Sequence, residues 1–193
     1  RSLCAFRLGK GWTMRQQGYL NLSPRTQRIA FNGLLGTLAL VLSAWEGMLP
    51  PIPVLPPGAK LGLSNLVTMY AAGTVGLGPA LCIAILKGLF AGITRGFVAM
   101  LMSLSGGVAS TLVMWFFLRL KGNPFGMIGL GVAGALSHNA AQLCVAALLT
   151  TPAIVWYIPW LLLFGVCSGI LTGLVLRAVM PLLDKWRPIE RDA

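Results

Sequence analysis

Gln142 follows Asn139 by three residues and His138 by four, so a helix places all three on one face that is otherwise Ala and Leu. Imidazole and carboxamide groups both donate and accept hydrogen bonds, and at membrane depth each needs an internal partner. A histidine alone in such a run would read as a satisfied core group. Three polar neighbours read as the lining of a pocket that recognises a polar ligand. Glu46 is the second candidate, because it is the only acidic residue before Asp184 and it ends an apolar segment. A carboxylate beside lipid costs a few kcal/mol unless it is wet, paired or bound. Lys60 and Asn65 follow at the start of the next apolar segment, Arg95 closes another, and Ser103 and Ser105 sit in a Ser-Leu-Ser-Gly-Gly run. Together these nine side chains form the expected substrate-binding set. The plainer alternative for Glu46 and Lys60 is that both are solvated charges at loop ends.

Bond-breaking chemistry is poorly supplied. There is no GxxxxGK[ST] to cradle ATP phosphates, and only Glu46, Asp184, Glu190 and Asp192 could hold magnesium and diphosphate. One histidine excludes a haem held by two histidines of this chain, and Cys4, Cys82, Cys144 and Cys167 form no CxxC and no disulfide framework. The expectation is a protein that is not an enzyme and carries no catalytic residue, metal or cofactor.

The elements that must position these groups are membrane helices. Hydrophobic residues make up 56% of the chain and charged residues 10%, with a mean hydropathy of +0.81. The net charge of +11 sits beside apolar segments rather than in a stripe interleaved with exposed aromatics, which argues against nucleic-acid binding. Six spans are expected, giving an all-α six-transmembrane-helix bundle. The first runs from about Ile29 to Leu49, with Gly33, Gly36 and Thr37 leaving a small-residue face near its start. A strap holding Pro50, Pro51, Pro53, Pro56 and Pro57 follows, extended and semi-rigid, and could lie across the mouth of the bundle. The second span, about Leu61 to Leu77, stops at Gly78-Pro79; the third, Ala80 to about Thr94, contains Lys87 and a Gly88, Gly92, Gly96 repeat that reads as helix packing. The fourth, Phe97 to Leu120, is interrupted at Ser103 to Gly107, either as a cavity-lining break or as a kink. The fifth, Met127 to Leu149, carries the His138 face. The sixth starts at an aromatic belt of Trp156, Tyr157 and Trp160 and holds a second four-residue glycine repeat at Gly165, Gly169 and Gly173.

Charge fixes the expected orientation. With both ends cytoplasmic, the inner segments hold twelve basic residues and the outer side only Lys60, Lys87 and Arg95, a clear positive-inside bias. The chain divides into a basic cytoplasmic segment 1–28, a membrane domain 29–181 and a basic tail 182–193. Translation is expected to start naturally at Met14, with residues 1–13 upstream sequence. The first helix is expected to be retained rather than cleaved as a signal peptide. Three cations against one acid, with amide, hydroxyl and imidazole groups, suit a small anionic or zwitterionic ligand.

The ordered motifs LALVLSAWEGMLP, PPGAKLGLSNLVT, SLSGG, GALSHNAAQL and YIPWLLLFGVCSGILTG, spread over Ile29 to Leu176, resemble the Gx transporter family, also labelled heptaprenyl diphosphate synthase component I. Members of that family are similar to the substrate-binding S-components of energy-coupling-factor (ECF) transporters. The resemblance implies six helices, an outward pocket under the first loop, and docking of the first helix onto a coupling transmembrane subunit driven by two ATPases in the bacterial cytoplasmic membrane. Glu46, Lys60, Asn65, Ser103, Ser105, His138, Asn139 and Gln142 match its motif positions. The chain departs from the pattern at Lys87, where the family more often has arginine, and at the docking face, where Gly33 and Thr37 replace a pair of alanines. The synthase label implies an alternative function, a membrane accessory subunit of polyprenyl diphosphate synthesis, although the Asp-rich motifs of such synthases are missing.

Overall fold

In the computed structural model of the chain, residues 23–48, 62–120, 126–149, 156 and 158–183 are described. They form six helices: α1 (Pro24–Met48), α2 (Leu63–Thr74), α3 (Leu77–Arg95), α4 (Phe97–Arg119), α5 (Gly126–Leu149) and α6 (Ile158–Leu183). The proline strap with Lys60, the N-terminal segment through residue 22, Tyr157 and the tail from residue 184 lie outside the described residues.

Five of the helices are long and apolar enough to cross a membrane. The second is not. The expected span from Leu61 to Leu77 contracts to the 12 residues of α2, about 18 Å of rise against roughly 30 Å of hydrocarbon. Its end is set by Gly76 rather than by Gly78-Pro79: Gly76 adopts φ 118°, where glycine alone is comfortable, and its N–H and that of Val75 both reach the carbonyl of Ala71. Pro79 instead lies in the first turn of α3, where its missing N–H would have had no helical partner anyway. The third helix therefore starts earlier than the proline suggests.

Short as it is, α2 is the hub of the bundle, packing against each of the other five helices. Eight of its twelve residues are buried, Tyr70 completely, with Phe31 of α1 meeting the Tyr70 ring edge-on at 6.4 Å. Leu35, Met114 and Leu176 bring α1, α4 and α6 into the same core. The outward faces are apolar, as with Ile29, Val41, Ile93 and Phe116, which is what lipid requires of a bundle surface.

The long helices pair through glycine. Gly96, at φ 92°, turns the chain directly from α3 into α4, so it is a corner and not the third member of a packing repeat. Behind that corner Gly88 lies against Leu104 and Gly92 against Met100, and any side chain there would meet them. The α5–α6 pair is closer still. A Cβ on Gly169 would strike the backbone of Val132, and one on Gly173 would lie 2.7 Å from Cα of Ile128, so Gly165, Gly169 and Gly173 do pack against a neighbouring helix. The fourth helix is continuous through Ser103 to Gly107, because Ser105 hydroxyl bonds back to Met102 carbonyl and the two glycines stay helical. No break of the helix occurs there, and Gly106 has another role.

Candidate functional site

Seven of the nine expected binding residues meet around one cavity of about 320 Å³. Glu46 comes from the last turn of α1, Asn65 from the first turn of α2, Arg95 from the end of α3, Ser103 from α4, and His138, Asn139 and Gln142 from α5. Ser105 does not reach it, being turned to its own helix backbone, and Lys60 lies outside the described residues. The volume is at the low end of small-molecule sites.

Glu46 has a clear structural partner. The N-terminus of α2 follows Gly62, which is left-handed and offers no side-chain cap, so the first N–H groups of the helix need acceptors. The Glu46 carboxylate supplies them, accepting from the N–H of Leu63, the N–H of Ser64 at 3.4 Å and the Ser64 hydroxyl at 3.0 Å. A buried anion at a helix N-terminus also meets the positive end of the helix dipole. Glu46, only 5% exposed, is therefore not a solvated loop-end charge; it ties α1 to the hub helix at the cavity wall.

The α5 face behaves similarly. Asn139 donates to the carbonyl of Leu161 on α6 at 3.1 Å and lies over Gly165, where a Cβ would be 2.9 Å from its amide nitrogen. Gln142 is buried. The His138 ring rests on Gly106 of α4: a Cβ there would lie 2.7 Å from Cε1 and 2.9 Å from each ring nitrogen. This is the use of the Ser-Gly-Gly run, a seat for the imidazole rather than a break in the helix.

Lys87 is the residue that the expected set omits. It stands in the middle of α3, 4% exposed, with its ammonium donating to Asn65 Oδ1 at 2.9 Å on the cavity wall. Its sequence context, glycine-rich and short, signals packing, while a cation inside an apolar span, grouped with Lys60 and Arg95 on the outer side, is the hint that points to the chamber. Ser43, Ser64 and Ser168 also line the cavity. Among the described residues no cluster of three His, Cys, Asp or Glu could hold a metal ion, and Glu46 is the only carboxylate.

The described residues form a multi-pass helical bundle around a small polar chamber, and a solved structure shares the fold. The chain matches "Structure and mechanism of the S component of a bacterial ECF transporter" with a TM-score of 0.66 and 19% identity, over 84% of this chain and 98% of that one. The chain belongs to the heptaprenyl diphosphate synthase component I family, whose model matches residues 35–179. No curated protein matches the sequence.

Proposed function

We propose that this chain is the substrate-binding membrane subunit of an uptake system for a small anionic or zwitterionic solute, energised by a coupling transmembrane subunit and separate ATPases. The observation that carries the reading is the convergence of Glu46, Asn65, Lys87, Arg95, His138, Asn139 and Gln142, drawn from four helices, on one chamber. A purely structural bundle has no need to spend polar groups at such cost in one place.

The positive-inside bias supports a chamber that opens outward, with both ends of the chain in the cytoplasm of a bacterial cell. The docking face is the exposed side of α1 at Gly33 and Thr37. A Cβ on Gly33 would meet nothing within 4 Å, and the Thr37 hydroxyl is satisfied by the Gly33 carbonyl at 2.9 Å, so this strip presents a close, smooth approach to a partner helix.

Two measurements test the proposal. Native mass spectrometry of the purified protein should find a retained small molecule, lost in Glu46→Gln and Asn139→Ala; unchanged retention in both variants removes the site. Affinity purification from membranes should bring down a transmembrane partner and ATPases. Recovery of a soluble prenyl synthase instead, with prenyl chain synthesis dependent on this protein, would establish the accessory-subunit alternative.

A further inference from the structure

Anion and zwitterion make opposite demands on the chamber, and its hydrogen-bonding groups distinguish them. Lys87 is an ammonium with three donors and no acceptor, so Asn65 must turn its amide oxygen toward it, as the 2.9 Å contact has it, and its NH₂ away. Both residues line the cavity, and the Arg95 guanidinium adds further donors. The single carboxylate among the described residues, Glu46, already accepts three hydrogen bonds from the start of α2. An ammonium group on a ligand would therefore meet two cations and one engaged carboxylate. An oxyanion would meet two cations and an outward-turned amide, in surroundings where charge-assisted hydrogen bonds are strong. Val98, Ala99, Met102 and Ala135 form the apolar part of the wall, beside several serines and the His138, Asn139 and Gln142 face.

We propose that the chamber selects a compact aliphatic oxyanion, a carboxylate or phosphate monoester without an ammonium group, held at Lys87 and Asn65. The inference rests on the substrate-binding reading and narrows it. Isothermal titration of the full-length protein in detergent, at constant ionic strength and neutral pH, with isovalerate, isobutyl phosphate, leucine and isovaleramide tests it. At least one of the two anions should bind about tenfold or more tightly than leucine or isovaleramide. Lys87→Arg should keep that preference and Lys87→Met should lose it by about tenfold or more. Asn65→Asp places a carboxylate beside Lys87, so it should weaken the anion and improve leucine. Leucine binding as tightly as the anions, an anion affinity untouched by both Lys87→Met and Asn65→Asp, or no binding of any of the four probes would each overturn the inference. Retention of a neutral or zwitterionic molecule in the mass spectrum would then leave the substrate-binding reading standing, whereas retention of none would remove both.

Discussion

Adding one methyl group at Gly106 should change the sign of its effect according to what occupies position 138. In the middle of a helix, Gly→Ala is ordinarily stabilising by about 0.5–1 kcal/mol, because alanine loses less backbone entropy on folding. At Gly106, however, the new carbon would lie 2.7 Å from Cε1 of His138 and 2.9 Å from its nitrogens, where unstrained carbon contacts fall at roughly 3.5–4.0 Å. The imidazole must retreat by about 1 Å, or the α4–α5 contact must open, and overpacking of that kind costs about 1–3 kcal/mol. Gly106→Ala should therefore destabilise the protein by a net of about 1–2 kcal/mol, whereas the same change in a His138→Ala background should stabilise it by about 0.5–1 kcal/mol. Reversible denaturation in detergent micelles measures both. Gly107→Ala serves as a control, since its Cβ would sit at an ordinary 3.4 Å from Ala84. His138 is the only histidine in the sequence, so in tag-free protein its Cε1–H resonance is a single assignable reporter that should shift in Gly106→Ala. Stabilisation by Gly106→Ala in both backgrounds, with an unmoved resonance, would show that the imidazole does not rest on this glycine.

Three further outcomes follow from the same contacts. Glu46→Gln keeps one carbonyl oxygen but turns an NH₂ toward the N–H groups of Leu63 and Ser64, so unfolding in detergent should become easier by about 1–3 kcal/mol while ligand retention falls. Gly169→Leu should abolish the native bundle, seen as loss of the monodisperse peak in size-exclusion chromatography, because the clash is with the backbone of α5 and no rotamer relieves it. Gly33→Leu, facing open space, should leave stability within about 0.5 kcal/mol of the parent yet reduce recovery of a coupling subunit in pull-downs.

Side chains that line the cavity were legible in the sequence, whereas the parts played by the backbone were not. Polar residues in apolar helices are conspicuous, so Glu46, Asn65 and the His138 face could be read directly, and helical spacing grouped the last three. Lys87 counts among the three outer-side cations but not in the expected binding set, because its partner Asn65 belongs to a different apolar run and nothing local connects them. Glycine is ambiguous in principle, since a missing side chain marks a break, a close helix contact or a seat with equal economy. Gly96 proved to be a corner, Gly169 a contact and Gly106 a seat, and only the facing element distinguishes them. The length of α2 was hidden for a related reason: Leu61 to Leu77 carries no charge to mark a boundary, and the positive-φ Gly62 and Gly76 that bound the helix look like any other glycine in the sequence.

That short helix also accounts for the chamber. Lys87, which meets the first turn of α2, lies eight residues before the end of α3, so Arg95 stands about 12 Å further along the bundle. Over that distance α3, α4 and α5 continue past the first turn of α2, while α1 ends at Met48, two residues after Glu46; a stub of helix about 10 Å across and 12 Å long would occupy several hundred Å³. The observed 320 Å³ is of that order once the inward side chains are counted. A hub that stops inside the bundle exposes its N-terminal N–H groups to low dielectric, and these must be satisfied there. Glu46 satisfies them from α1. The carboxylate that reads in the sequence as a ligand contact is thus first a condition for having a chamber at all: it allows the central helix to end early, and the space left above that end is where Lys87, Arg95 and the polar face of α5 are brought together.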